Sequence, residues 1–412
     1  MIYFAVGDTE MPLDLTRVVA QIEGMAATLQ AEEQERGQRL SHALETLRHQ
    51  SADLDSLKKK IARRKTSWLV AGIADGLVDR HVPPPCPSDF AVIATDGSQI
   101  DVDRQSAARC CLINVGSIIL RYGLSPDAVL RSQPTLYAGY EELTIADPSS
   151  SSEQPVQGAL LGIKRAVAEC LVLAELGEEL PPQLPALALL DGTLILWGLA
   201  GKAYDEYVKR ELLDNGFLMA LDRINGVSQK TGLALASYIS STGSTEVVNT
   251  LRVAVCPHET PDCDRHCSGR AAPSKRECDA VAGLRDRHLF SALLEPGERS
   301  ATFLSLSSVV QDSYKEHEVR FFYLKVEDEI ARVEFPRWVE ERGLVDFVHT
   351  IVLDQCRRGH GYPPALSEAH EQAVLTGADR EQFQRLVELA LTNRRLSATT
   401  SAKSRSKRSR WV

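Results

Sequence analysis

Apolar residues fall along this chain in two rhythms. Near the start, Leu13, Leu15, Val18, Val19, Ile22, Met25 and Leu29 recur at helical spacing. The stretch after them is rich in Glu, Gln and Arg, and the whole predicts helix over residues 12–66. An apolar stripe of this kind suits an arm that packs on a partner or on a second copy of the chain. It equally suits a helix pair that covers its own core. Pro83-Pro84-Pro85 breaks the pattern. Beyond it the apolar residues gather into short runs bounded by Gly and polar residues, which read as buried strands.

Strands are predicted at residues 90–96, 108–115 and 117–122, with Gly116 between the last two, an order that suggests an antiparallel meander. A helix over 158–179, a strand over 186–190, a helix over 202–225 and a strand over 233–239 follow. Residues 319–326 and 330–333 read as paired strands, and 343–358, 364–376 and 380–395 as helices. A meander followed by alternating helices and strands predicts an α/β fold, an RNase H-like mixed sheet with flanking helices. The expected division is an N-terminal helical arm and linker (1–88), an α/β domain (89–396) with a cysteine-rich insertion (256–290), and a basic disordered tail (397–412).

The informative residues end two of these runs. Asp96 follows Phe90-Ala91-Val92-Ile93-Ala94-Thr95, and Asp191 follows Ala186-Leu187-Ala188-Leu189-Leu190. Each is followed by Gly and then a hydroxyl residue. Asp-Gly often starts a turn. Two carboxylates closing neighbouring buried strands would also repel, and a divalent cation is the natural remedy. Glu169 lies on the predicted helix between them, at the border of the stripe made by Val167, Cys170 and Leu171. Near the end, Pro363 and Pro364 suit a helix start and place His370 about two turns in.

Composition narrows the class. Apolar residues make up 43% and charged residues 25% of 412, ordinary values for a globular protein with a sizeable core. A net charge of −9 argues against a general nucleic-acid coat protein, while leaving room for a local basic surface. No apolar run is long enough to span a bilayer, and the first residues lack the form of a signal peptide, so a cytoplasmic protein with reduced or metal-bound cysteines is expected. Lys58-Lys59-Lys60 and Arg63-Arg64-Lys65, then Lys202, Lys209, Arg210, Arg332 and Arg337, are cations that either contact phosphates or solvate a surface. The tail cations Lys403, Arg405, Lys407, Arg408 and Arg410 have the same two readings. Trp197 and Trp338 read as core residues.

Taken in order, Ala94-Thr95-Asp96-Gly97-Ser98, Leu190-Asp191-Gly192-Thr193-Leu194, Phe321-Phe322-Tyr323-Leu324, Ile330 to Pro336, Gly361-Tyr362-Pro363 and Ala369-His370-Glu371 resemble the NurA nucleases. The resemblance covers roughly residues 89–395. It implies an RNase H-like core and a Mn²⁺-dependent site, with Mg²⁺ as the alternative ion, acting on DNA single strands and duplex ends. It also implies a homodimer working in end resection with a HerA-type hexameric ATPase, as single-strand endonuclease and 5′-to-3′ exonuclease. Asp96, Asp191, His370 and Tyr362 match the family's site residues. Glu169 is the best match for its glutamate, with Glu175 and Glu178 as rivals. Nothing in the chain resembles a Walker A loop, so a motor would be another chain. A non-catalytic DNA-binding or adaptor subunit of a translocase complex is the alternative reading, and a polynucleotidyl transferase on the same fold a third.

One motif lies outside that resemblance. Cys256, Cys263, Cys267 and Cys278 follow a C-x6-C-x3-C-x10-C spacing in a polar, Pro-containing stretch. Such a set suits Zn²⁺ or an iron–sulfur cluster, with His258 and His266 as reserve ligands, or else stands as reduced thiols in a flexible insertion. Cys86, Cys110, Cys111, Cys170 and Cys356 read mostly as small core residues.

Overall fold

A computed structural model describes residues 15–101, 108–201, 203–268 and 276–396. Lys202, the tail and the centre of the cysteine segment (269–275) lie outside these.

An eleven-stranded mixed sheet organises the molecule. One half of it is built from five strands. Phe90–Ile100, Cys111–Tyr122 and Asp127–Tyr137 form the antiparallel meander. Ala186–Asp191 then pairs parallel to the first strand, and Ala234–Ile239 parallel to Ala186–Asp191. In order across the sheet, the third meander strand leads to the second, the first, the Asp191 strand and the 234–239 strand. The parallel strands are covered on both faces, which is why Ala91-Val92-Ile93-Ala94 and Leu187-Ala188-Leu189 are continuous apolar runs. The sheet continues through Glu329–Pro336 and Val319–Val326 to Phe303–Ser305 and Ala71–Ile73.

Three sequence expectations change here. The runs 108–115 and 117–122 are a single strand, Cys111–Tyr122, with Gly116 in its middle. The third meander strand is instead Asp127–Tyr137, whose mostly exposed, polar face hid it from a search for apolar runs. Asp96 does not close its strand either, because the strand runs on to Ile100. The arm is two helices, Leu15–Gln50 and Leu54–Ala62, with Asp53 capping the second through Ser56 N. Ala43, Leu47, Leu57 and Ile61 share an apolar core with Val247, Leu251, Phe290 and Phe303. The first turns of the arm are different, with Leu15, Val19, Ile22, Met25 and Leu29 all exposed.

Candidate active site

Register brings the two aspartates together. The parallel ladder pairs Ala94 with Leu189 and Thr95 with Leu190, so the next step sets Asp96 beside Asp191. Residues level with one another on neighbouring strands project to the same face, so both carboxylates point the same way.

The residues around Asp96 each have a distinct task. Gly116 lies opposite Asp96 in the antiparallel ladder, and Asn114 opposite Ser98. These four positions share a face, and the helix Pro364–Ala373 lies across it. A Cβ on Gly116 would overlap the carbonyl oxygen of Ala369 and the backbone of Gln372 and Ala373, so only glycine lets this helix come down onto the strand. Asn114 Nδ2 donates to the carbonyls of Ala373 (2.9 Å) and Gln372 (3.2 Å), and Ser98 Oγ donates to Ala373. The helix end is thereby clasped, and His370 Nδ1 lies 2.6 Å from Asp96 Oδ2. Its Nε2 has no partner among the described residues.

Glu169 comes from the other face of the sheet. Its helix, Ala159–Glu179, is tied to the strand by Thr95 Oγ1, which donates to the Glu169 carbonyl at 3.0 Å. A side chain on Gly97 would collide with the Glu169 carboxylate and the stem of Arg165. Gly97 is therefore the opening through which Glu169 reaches the aspartates. Arg165 Nε lies 3.1 Å from Glu169 Oε1 but without hydrogen-bond alignment, so this buried oxygen has no hydrogen-bond partner. Burial first, and then Asp96 and Asp191, push the Glu169 carboxyl up to about 8 against the opposing pull of Arg165. The rival glutamates Glu175 and Glu178 are both exposed, and Glu178 is held by Arg223.

Asp191 is followed by a turn. Gly192 has φ +84°, a conformation that favours glycine. Thr193 Oγ1 donates to Glu334 Oε2 at 2.8 Å and Leu194 N to the same oxygen at 2.9 Å, which fixes the loop. Glu334 is paired in turn with Arg332, which also holds Glu246 at 2.7 Å. Arg332 is thus 2% exposed and serves this internal network rather than a phosphate. The Asp191 carboxyl is raised by its partial burial first, with the Tyr362 hydroxyl as the main opposing influence. Burial and the neighbouring Asp191 keep the Tyr362 hydroxyl protonated far above the usual tyrosine range, so it donates to Asp191. Its ring meets Tyr238 edge-on at 5.6 Å.

Other predicted residues are placed differently. Trp338 is buried, but Trp197 is 39% exposed and lines a cavity of about 410 Å³ with Gly192, Thr193, Ser244 and Arg332. Lys209 pairs with Glu206, and Arg337 with Glu341. Of the cysteines read as core, Cys86 is exposed, whereas Cys110, Cys111, Cys170 and Cys356 are buried. Asp222, Glu316 and His317 also stand close together, but Trp338 Nε1 donates to His317 Nδ1, and Nε2 faces Asp222 at 2.8 Å. Both imidazole nitrogens are occupied there, so that group offers a cation only carboxylates.

Asp96, Asp191 and Glu169, with the His370 imidazole and the Tyr362 hydroxyl, therefore neighbour one another across two central strands of the sheet, an oxygen-rich arrangement that is not drawn in to ligand-shell spacing and that suits Mg²⁺ or Mn²⁺. The sequence pattern of the NurA domain matches residues 90–375. The chain belongs to the NurA family, a nuclease family. Among solved structures it is similar to an Argonaute from Aquifex aeolicus, with 11% identity and a TM-score of 0.25, covering 69% of this chain and 28% of that one. A second is LC9-RNase H1, a type 1 RNase H with the type 2 active-site motif, with 12% identity and a TM-score of 0.21, covering 40% of this chain and 69% of that one. No curated protein sequence matches the chain.

Proposed function

We propose that this protein is a divalent-metal-dependent deoxyribonuclease whose site is Asp96, Glu169, Asp191, Tyr362 and His370. The observation that supports the reading is the register that sets Asp96 beside Asp191, with His370 against Asp96 and Glu169 pushed up to about 8 by burial first and then by both aspartates, against the pull of Arg165. A cation is the group such a site lacks, and the donor set of carboxylate oxygens with one imidazole fits Mn²⁺ or Mg²⁺. Asp96, Glu169, Asp191 and His370 would hold it. When bound, such an ion neutralises the scissile phosphate and makes water a stronger nucleophile.

The chain's own groups prepare that chemistry. Tyr362 orients Asp191 through its retained proton. Asp96 fixes the His370 ring through Nδ1 and leaves Nε2 as a ligand atom or as a proton donor to the departing 3′ oxygen. Glu169, raised to about 8, favours its protonated form near neutral pH and would give up that proton to serve as a ligand. The exposed Trp197 beside the cavity next to Gly192 gives a single-stranded base a face to stack on.

The finer reading follows the same lines. It comprises end resection with a HerA-type hexameric ATPase and a homodimer formed along the exposed stripe of Leu15, Ile22, Met25 and Leu29. Cleavage of end-labelled single-stranded DNA with Mn²⁺, in the wild type and in Asp96→Ala and Asp191→Ala, tests the activity. Loss of cutting with retained folding and DNA binding is expected. Cutting by either variant at the wild-type rate would refute the assignment.

A further inference from the structure

Four cysteines remain outside this account. Cys256 follows the helix Glu246–Ala254, Cys263 and Cys267 begin and end the short helix Cys263–Cys267, and Cys278 lies in the turn Glu277–Val281. Asp262 caps the short helix through Arg265 N at 3.0 Å, and residues four apart on a helix share a face. None of the four belongs to either apolar core, and none is disulfide-bonded. All are half-buried.

The segments that carry them nonetheless converge. The His258 and His266 rings stack at 3.8 Å, which brings the turn after Cys256 against the helix Cys263–Cys267, and the turn that carries Cys278 packs on the helix Glu246–Ala254 that ends just before Cys256. Cations stand nearby, with Arg276 paired to Asp279, Arg252 over the Trp68 ring and Lys60 Nζ on the Cys256 carbonyl. The sulfurs are gathered without being closed to ligand-shell spacing, so metal binding would draw the turns together. Four sulfur donors gathered outside the apolar cores suit a thiophilic cation, and soft sulfur donors exclude the Mg²⁺ or Mn²⁺ that suit the carboxylate site.

We propose that Cys256, Cys263, Cys267 and Cys278 form a tetrathiolate metal site that staples the helical arm to the body of the protein. The attachment is visible on both sides of the cysteines. Lys65 N donates to Pro261 O at 2.7 Å, and Cys263 N to Lys65 O at 3.2 Å. Arg63 pairs with Glu259 at 2.9 Å, and Lys60 Nζ donates to the carbonyls of Ala254 (3.0 Å) and Cys256. The basic end of the arm, which the sequence offered as a phosphate contact, is thus committed in large part to the cysteine segment. Closing the sulfurs around one ion fixes the segment to which the helix Leu54–Ala62 is tied.

Elemental analysis and absorption spectra of full-length protein, purified without oxygen from cells supplied with zinc and iron and dialysed against EDTA, test this. One zinc per chain, or iron with charge-transfer absorption from a sulfide cluster, is expected, and the two results distinguish the occupants. Cys263→Ser/Cys267→Ser should lose the metal and exchange amides over residues 54–66 at least about tenfold faster. Cys86→Ser should do neither. Should the double variant fail to fold, titrating wild-type thiols with a mercurial should release the metal as four cysteines react. Protein with neither metal at stoichiometric level, or a double variant that keeps its metal, would overturn the proposal.

Discussion

Glu169→Gln should stabilise the metal-free protein while removing a ligand. The Glu169 carboxyl is pushed from 4.5 up to about 8, by burial first and then by its acidic neighbours. The unfolded chain gains ionisation free energy above pH 4.5 that the folded chain forgoes until about pH 8. The penalty is therefore absent below the lower value, grows through that window and is constant above it. At about 1.4 kcal/mol per pH unit the bound is roughly 5 kcal/mol, and relaxation of the site brings the realised figure to about 2–3 kcal/mol. Glutamine fills the same volume and never ionises. Urea unfolding in EDTA should give nearly equal stabilities at about pH 4.5 and a variant more stable by about 2–3 kcal/mol at pH 9. Mn²⁺ should then raise the stability of the wild type and not that of the variant. A difference that does not depend on pH, or a variant less stable at pH 9, would refute the reasoning.

Three further outcomes follow from the packing. Gly116→Val should push the His370 helix off the strand, costing about 1–3 kcal/mol in denaturant unfolding and most of the Mn²⁺-dependent cleavage rate. Asn114→Leu should leave the helix-end carbonyls under-satisfied at a cost of about 1–3 kcal/mol, and should lower kcat more than it raises KM for single-stranded DNA, because it acts through the position of His370. Arg332→Met should leave Glu246 and Glu334 unpaired in the interior and cost about 3–5 kcal/mol by thermal or urea unfolding.

Much of this was legible in the sequence where burial writes itself as apolar runs. The strands bearing Asp96 and Asp191 are covered on both faces, so their apolar runs are unbroken. The strand Asp127–Tyr137 is exposed over most of its length and carries no such run, so the sequence pattern does not show it. Gly116 reads as a strand boundary because glycine usually punctuates, whereas here it answers to the distant helix Pro364–Ala373, whose position only the fold reveals. Asn114 left a trace, a lone amide within an apolar strand, without any sign of what it would clasp. Arg165 left a clearer one, four residues before Glu169 on the same helix. Arg332 misled because an arginine reads as exposed, and only tertiary structure shows that Glu246 and Glu334 enclose it. Trp197 misled in the opposite direction, since a large apolar ring reads as core.

Titration of Mn²⁺ into the metal-free protein, followed by electron paramagnetic resonance, tests the central claim most directly. The wild type should bind Mn²⁺ and release protons near neutral pH, and Asp96→Asn/Asp191→Asn should bind it at least about 100-fold more weakly with its fold intact. Equal affinity in the two proteins would mean that these acids do not form the cation site.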